Sequence, residues 1–288
     1  DLIIIAHPKF YSDALELAEL HRNADTLTTV VVTTDQIYNE FSSGAPDVTA
    51  LKDFVKMLYD RNSGNQIPKY LQLYGDGSYD NKSKSTTNTN YIPTYQSSNS
   101  YSPTGSYVSE DYFGLLGDNE GEGLSDITDI GIGRLPVKTE SESKAILEKI
   151  KRYMDPTSAF AESAVQGPSC NAQLASTLYG FGDWRNLISF IADDQDVNTH
   201  INQSDYLALI ADTANNNLNL EKIYLDAYKQ EVTAGGQRYP EVNDAISRRV
   251  QKGALIVNYT GHGGEVGWAL ERILDVPTIN SWSNNCLL

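Results

Sequence analysis

The chain has 288 residues, of which 40% are hydrophobic, and its 22 basic and 38 acidic side chains give a formal net charge of −16. This composition is that of a globular protein and excludes an intrinsically disordered chain. The acidity argues against a nucleic-acid partner, because phosphate binding needs a basic surface. The two cysteines, Cys170 and Cys286, exclude a disulfide-rich scaffold and a cysteine-built zinc site.

Strand-like and helix-like segments alternate along the first half of the chain. Short aliphatic or β-branched runs predict strands, and apolar residues that recur every three to four positions predict helices. We predict strands at residues 2–6, 28–34, 70–74 and 127–132, and helices at residues 48–59, 140–153 and from Ser12, as the N-cap, to residue 20. Residues 133–136 predict a turn, and the polar stretch 81–109 predicts a long loop of functional or mobile character.

The second half repeats the alternation. We predict strands at residues 187–192, 220–225 and 254–259 and helices at residues 203–214 and 241–251, with residues 254–257 at the centre of the sheet. This order predicts an α/β fold of parallel sheets flanked by helices, with right-handed crossovers. Residues 155–180 contain Pro156, Gly167 and Pro168 and predict a boundary, so we expect two α/β subdomains, residues 1–155 and 156–288.

His262 has the most informative setting of the four histidines. It follows a predicted strand and lies within Gly261-His262-Gly263-Gly264, and ligands of parallel sheets bind beyond the carboxyl ends of the strands. A histidine there can act as a general base, and the N–H groups of Gly263 and Gly264 can stabilise an oxyanion. The alternative is a tight turn with a surface histidine. His7, His21 and His200 lack such a setting and are predicted to be structural or surface residues.

Acidic residues follow two other predicted strands. One carboxylate of Asp193 and Asp194 can orient the imidazole of His262, although an acidic helix N-terminus or calcium ligands explain the pair equally well. A second, oxygen-rich group suits calcium but lacks EF-hand spacing, so solvated loop acids are the alternative; it comprises Asp76, Asp80, Asp118, Glu120 and Glu122.

The segment around His262 closely resembles the catalytic-histidine segment of the gingipain family of cysteine peptidases. It reads Val-Asn-Tyr-Thr-Gly-His-Gly-Gly-Glu over residues 257–265 and is followed by Trp268. Residues 70–80, 109–116 and 129–136 are similar to the same family. Residues 179–186 and 191–194 are especially similar to the branch that contains the cell-surface sortase of the type IX secretion system.

The resemblance implies a caspase-like α/β fold of two side-by-side subdomains and a Cys–His mechanism without a required cofactor. It implies that His262 is the catalytic histidine, that Gly263 serves the oxyanion, and that Asp194, or Asp193 if the register differs by one residue, supports the histidine. It further implies that Glu265 and Trp268 contact substrate. A structural calcium ion near Asp76, with Asp118, is also expected.

For the sortase branch, the resemblance implies cleavage of C-terminal secretion signals and transfer of exported cargo to surface lipopolysaccharide. The expected partners are these exported proteins and other outer-membrane components of the secretion system, and the expected location is the bacterial cell surface. A non-catalytic binding module, which recognises partners through residues 81–109, is one alternative. A secreted gingipain-type protease is another.

The cysteines depart from the family pattern. The family nucleophile lies at the end of the next strand, whereas Cys286, 24 residues after His262, begins the apolar run Cys286-Leu287-Leu288. We therefore expect Cys286 and Cys170 to be structural and the nucleophile to lie beyond Leu288. On this interpretation the chain is a fragment that is inactive alone, and the strand that carries His262 has an unpaired edge.

Overall fold

A computed structural model describes residues 1–61, 67–82, 85, 87–98, 106–121, 126–154, 183–264 and 266–282. The chain divides into two compact units, residues 1–148 and 149–288. The sequence places the corresponding boundary at residue 155. The difference falls within one helix, Glu140–Met154, which begins in the first unit. None of the described helices is both long and apolar enough to span a membrane.

The first unit contains a parallel sheet of four strands in the order β2-β1-β3-β6, with helices packed against it. Its elements are β1 (Leu2–Ala6), α1 (Tyr11–Ala24), β2 (Thr29–Thr33), α2 (Thr34–Phe41), α3 (Val48–Arg61), β3 (Tyr70–Tyr74), the short antiparallel pair β4 (Tyr95–Gln96) and β5 (Val108–Ser109), β6 (Gly131–Leu135) and α4 (Glu140–Met154).

Strand β1 lies inside this sheet, and all five of its residues are buried. Successive side chains of a strand point to opposite faces. Ile3 and Ile5 pack with Leu51 and Val55 of α3 in one core cluster, and Ile4, between them, is also fully buried. Burial on both faces is why the sequence of this strand is a continuous aliphatic run rather than an alternating one.

Three local predictions for this unit are wrong. The strand predicted at residues 127–132 is β6, Gly131–Leu135, so the predicted turn at 133–136 is also wrong. Glycine suits this strand because a Cβ at Gly131 would lie only 3.2 Å from the ring of Tyr70. Helix α1 begins at Tyr11 and not after a Ser12 cap. The turn Pro8–Phe10 precedes it, and the His7 side chain caps this turn by accepting from the backbone N–H of Lys9.

Arg134 ties the carboxyl end of β6 to neighbouring loops. Its Nε and Nη2 donate to the two carboxylate oxygens of Glu110 at 2.6 and 2.9 Å, and its Nη1 donates to the carbonyls of Gly75 and Ile92, both at 2.9 Å. The Arg134 side chain is 9% exposed. The guanidinium therefore fixes parts of the polar stretch between β3 and β6 to the sheet.

The second unit contains a parallel sheet of three strands in the order β11-β7-β8. Its elements are β7 (Leu187–Ala192), α5 (Gln195–Ala214), β8 (Asn219–Tyr224), the antiparallel pair β9 (Glu231–Thr233) and β10 (Gly236–Arg238), α6 (Pro240–Lys252), β11 (Ile256–Thr260), the antiparallel pair β12 (Gly267–Trp268) and β13 (Leu274–Asp275), and α7 (Val276–Ser281).

The central strand of the second unit is β7, and its two faces meet different cores. Ile188 and Phe190 pack with Ala208 of α5, whereas Ile191 packs with Val242 and other residues of α6. Strand β11 lies at the edge of the described sheet, and Ile256 and Val257 are 50% and 39% exposed. The prediction that residues 254–257 lie at the sheet centre is therefore wrong for the described part of the chain.

We predict that Arg134→Ala lowers the free energy of unfolding by roughly 3 kcal/mol, because it removes four hydrogen bonds and leaves Glu110 without its charged partner. Urea denaturation measures this loss. Arg22→Ala is the matched control, since the Arg22–Glu19 pair is exposed and its loss should change stability by less than about 1 kcal/mol. Equal effects of the two substitutions would contradict the role given to Arg134.

Candidate active site

Two neighbouring strand ends bring His262 and Asp193 together. Strands β7 and β11 are parallel and in register, with Ala192 opposite Thr260. Asp193 directly follows β7, and its N–H still donates to the Thr260 carbonyl at 3.2 Å. His262 lies two residues beyond the end of β11. The carboxyl ends of both strands thus place these two side chains at one edge of the sheet, where parallel sheets bind ligands.

The carboxylate of Asp193 is fully buried and held by three donors. Its Oδ2 accepts from Nδ1 of His262 at 2.9 Å and from the His262 backbone N–H at 3.2 Å. Its Oδ1 accepts from the Gln195 N–H at 3.0 Å. The chain passes close by at Gly261, where a Cβ would lie 2.5 Å from the Cβ of Asp193, so only glycine fits there.

The two groups shift each other's pKa. The hydrogen bond from Asp193, and then its negative charge together with those of Asp196 and Glu271, raises the pKa of His262 despite some desolvation. Burial acts to raise the pKa of Asp193, but the hydrogen bonds from His262 and Gln195 outweigh it and hold that pKa below its ordinary value. Asp193 is therefore an anion that only accepts, which makes Nδ1 of His262 the protonated nitrogen and leaves Nε2 for chemistry.

The structure corrects the preference for Asp194 as the partner of His262. The Tyr239 hydroxyl donates to Oδ2 of Asp194 at 2.6 Å, so this carboxylate faces the start of α6. Asp193 continues the hydrogen-bond ladder of β7 toward β11, which keeps it beside the turn that carries His262. The chain leaves the extended conformation at Asp194, where φ is −90° and ψ is 0°.

The two candidate oxyanion donors differ in availability. The N–H of Gly264 donates to the Gly267 carbonyl at 3.0 Å and is occupied. The N–H of Gly263 has no hydrogen-bond acceptor among the described residues, and a Cβ added to Gly263 would meet nothing within 4 Å. Gly263 is exposed, so its N–H can reach a substrate oxygen close to the imidazole.

Trp268 supports the turn that carries His262. Its ring stacks on Tyr259, with centroids 4.4 Å apart and an angle of 4° between planes. The Tyr259 hydroxyl donates to the His262 carbonyl at 2.6 Å, and the Ala269 N–H donates to the same carbonyl at 2.8 Å. Contact between Trp268 and substrate stays a prediction. Glu265, Cys170 and Cys286 lie outside the described residues.

Asp76 and Asp118 each have a partner in the first unit. The Thr89 hydroxyl donates to Asp76, and Nζ of Lys138 lies 3.8 Å from the same carboxylate. Asp118 is 89% exposed and pairs with Nζ of Lys56 at 3.0 Å. Neither belongs to a cluster of three or more potential metal-ligating side chains in the described chain. A calcium ion at these residues stays a prediction.

Two residues that the sequence analysis did not assign to the site lie against His262. The ring of His200 is 4.8 Å from that of His262, edge to face, and Oδ2 of Asp196 is 3.3 Å from Nε2 of His262. The sequence carried no signal for Asp196, because its position depends on the left-handed backbone of residues 196–198.

We predict that Asp193→Asn lowers the pKa of His262, because the substitution removes the anion that stabilises the imidazolium. A pH titration of the histidine ring signals by NMR, with His262→Gln to assign the resonance, measures the change. Asp194→Asn is the matched control and should leave the His262 titration in place. A fall in pKa for Asp194→Asn, with none for Asp193→Asn, would contradict the pairing.

The chain was compared with known families, curated proteins and solved structures. It matches peptidase family C25 over residues 1–288. No curated protein matches it significantly. A complex of the pro- and mature domains of RgpB from Porphyromonas gingivalis is similar over 100% of this chain and 54% of that one, with 17% identity and a TM-score of 0.62.

Two further structures are similar. One, described as a protease structure, shares 16% identity with a TM-score of 0.59 over 98% of this chain and 49% of that one. Dimeric latent PorU from Porphyromonas gingivalis shares 34% identity with a TM-score of 0.48 over 57% of this chain and 16% of that one. This chain thus spans about half of two of these structures and 16% of the third. The RgpB likeness confirms the caspase-like α/β fold, and the match over the whole length shows that the chain belongs to peptidase family C25, the gingipain family.

Proposed function

We propose that this chain carries the catalytic histidine of a cysteine peptidase. The observation that carries the proposal is the hydrogen bond between Nδ1 of His262 and the buried carboxylate of Asp193, at the ends of two adjacent parallel strands. Such a pair fixes both the tautomer and the direction of an imidazole. Membership of the C25 peptidase family supplies the reaction class.

In the proposed reaction, a cysteine thiolate attacks the carbonyl carbon of a peptide bond, and the oxyanion that forms accepts from the N–H of Gly263. His262 as imidazolium then gives its Nε2 proton to the departing amine, which leaves an acyl-enzyme. Water or another nucleophile attacks this thioester and loses its proton to Nε2, and the cysteine leaves as the thiolate, which restores the starting thiolate and imidazolium. The raised pKa of His262 favours the imidazolium that protonates the departing amine.

Asp193 acts as a positioning residue in this scheme. Its three hydrogen bonds keep the carboxylate still while the imidazole gains and loses a proton. Burial removes competing water, which strengthens the interaction with the imidazolium. Asp194, whose carboxylate accepts from Tyr239, has no corresponding part in the reaction.

We further propose the type IX secretion sortase as the specific function, with surface lipopolysaccharide as the acyl acceptor and the cell surface as the location. Substrates are exported proteins with C-terminal secretion signals, and outer-membrane components of the system are the partners. The similarity of residues 191–194 and 179–186 to the sortase branch supports this proposal. Calcium near Asp76 and Asp118 has a structural role in it, and Glu265 and Trp268 contact the substrate.

We predict that His262→Ala lowers peptide cleavage by at least about 10³-fold and that Asp193→Asn lowers it by roughly 10²–10⁴-fold, mainly in kcat. Asp194→Asn should keep activity near that of the parent. Cleavage of a peptide that spans a secretion-signal junction measures the effect in a version longer by about 20 residues, which covers one further strand and its end. The same measurement on this chain tests the expectation that it is inactive alone.

A thiol-directed peptidyl inhibitor identifies the nucleophile in the same proteins by mass spectrometry. Cys286→Ala and Cys170→Ala should retain activity in the longer version if both cysteines are structural. A folded longer protein without activity would favour the non-catalytic binding module, and loss of activity in Cys286→Ala would make Cys286 the nucleophile.

We predict that the active protein joins the cleaved cargo to lipopolysaccharide, because the acyl-enzyme is attacked by the acceptor in place of water. Incubation of an exported cargo protein with and without lipopolysaccharide, followed by mass spectrometry of the new C-terminus, measures the partition. A hydrolysed C-terminus in both reactions would instead indicate a secreted gingipain-type protease.

A further inference from the structure

One carboxylate oxygen lies close to the outward nitrogens of two histidines. Nε2 of His262 lies 3.3 Å from Oδ2 of Asp196, and Nε2 of His200 lies 3.7 Å from the same oxygen. Asp193, His200 and His262 also offer ligand atoms that all lie within 4.8 Å of one another. Two imidazoles and two carboxylates are therefore close together at this end of the sheet.

A left-handed stretch of backbone places Asp196 there. Asp196, Val197 and Asn198 have φ of 55°, 57° and 59°, in the region that non-glycine residues rarely adopt. Strain of this kind often occurs at functional sites. The chain then continues as helix to His200, so the turn brings Asp196 and His200 onto the same side of His262.

His200 lacks hydrogen-bond partners among the described residues. Both of its ring nitrogens are buried, and neither has a hydrogen-bond partner among the described residues. Its side chain is only 19% exposed. A buried polar group without a partner is rare in folded proteins and often marks an ion or water site. In this place, its Nε2 lies 3.7 Å from a carboxylate oxygen of Asp196.

Asp193 prepares His262 as a ligand. It accepts a hydrogen bond from Nδ1, which leaves the lone pair of the neutral imidazole on Nε2, the nitrogen 3.3 Å from Asp196. Histidines that bind metals almost always donate their other N–H to a carboxylate or carbonyl in this way, and the carboxylate strengthens the bond to the metal. The feature that orients His262 for proton transfer also orients it for metal binding.

We propose that Nε2 of His262, Nε2 of His200 and a carboxylate oxygen of Asp196 bind one Zn²⁺ ion, with a fourth position open to solvent. In a tetrahedral zinc site with bonds of about 2.0–2.1 Å, ligand atoms lie about 3.3 Å apart. The separations of the Asp196 oxygen from the two imidazole nitrogens, 3.3 and 3.7 Å, are close to this spacing. Calcium and magnesium prefer all-oxygen sites, whereas two imidazoles favour zinc.

The proposed zinc binding follows from the geometry alone, whereas its effect on peptidase activity rests on the proposed function. A zinc ion on Nε2 occupies the lone pair that must accept and return the proton during catalysis. Zinc therefore inhibits the peptidase reversibly, and the concentration of free zinc determines the fraction of enzyme that is active. His200 serves this regulation and not the reaction, because it touches the ring of His262 from the side, edge to face.

Isothermal titration of this chain with ZnCl₂ tests binding, with Co²⁺ absorption as a probe of tetrahedral geometry. We expect one saturable site per chain, and a loss of affinity of at least about tenfold in His200→Phe and in Asp196→Asn. Asn tolerates a positive φ, and the Asp196 side chain is 64% exposed, so Asp196→Asn should fold. His21→Phe and Asp25→Asn remove another His–Asp pair and are the matched controls.

The result that overturns the site is zinc affinity unchanged in folded His200→Phe and Asp196→Asn, or equal losses in His21→Phe and Asp25→Asn. Absence of a saturable site in the parent chain also overturns it. Circular dichroism confirms folding of each variant. If His200→Phe fails to fold, Asp196→Asn alone decides between these outcomes.

Inhibition is measured separately in the active peptidase. We expect zinc to inhibit the parent with a constant that equals its Kd, and His200→Phe to cleave peptide with at least about tenfold lower sensitivity to zinc. Zinc binding without any peptidase activity would refute the proposed function and keep the site. Activity with the same zinc sensitivity in His200→Phe would refute the regulation and keep the function.

Discussion

The buried carboxylate of Asp193 is the interaction on which the rest of the site depends. A charge withdrawn from water is unfavourable unless hydrogen bonds replace the lost hydration. Here the replacements come from His262, through both ring and backbone, and from the N–H of Gln195. The carboxylate therefore fixes the end of β7, the turn after β11 and the direction of the imidazole at once. The positions of the strand end, the turn and the imidazole are therefore coupled through this one carboxylate.

The packing around this carboxylate explains the composition of the histidine segment. Gly261 is required because any Cβ there meets Asp193 and Tyr259 at 2.5 Å. Tyr259 and Trp268 stack, and the Tyr259 hydroxyl holds the His262 carbonyl, so the turn returns toward the sheet. That return uses the N–H of Gly264 and leaves that of Gly263 exposed. The three glycines thus have different roles. Gly261 allows the chain to approach Asp193 closely, Gly263 offers an available N–H donor, and the N–H of Gly264 closes the turn.

The sequence predicted most strands of both sheets, because short, continuous aliphatic runs such as residues 2–6 and 187–192 strongly favour buried strands of a parallel sheet. It placed β6 at residues 127–132 in place of Gly131–Leu135, where Gly131 makes room for Tyr70, and it did not identify α2, which begins with the short capping box of Thr33 and Gln36. His262 was identified from its place after a strand. The choice between Asp193 and Asp194 depends on which face a strand end presents, and that requires the register with β11. Asp196 was missed because no sequence pattern predicts three successive left-handed residues that are not glycine.

The surroundings of His262 explain why one imidazole can serve both a proton and a metal ion. Negative charge from Asp193, Asp196 and Glu271 favours any cation at this ring. Asp193 acts at Nδ1 from inside the fold, whereas Asp196 meets Nε2 from a solvent-exposed loop. The carboxylate of Asp193 is fixed by its hydrogen bonds. The carboxylate of Asp196 is exposed to solvent and must move away from Nε2 when substrate approaches. A proton and a metal ion exclude each other at Nε2, because each uses its single lone pair, and the carboxylate of Asp196 interacts favourably with Nε2 when either cation is present. In the proposed function, Asp193 therefore determines the position of the imidazole for proton transfer, and Asp196 determines when Nε2 is accessible for it.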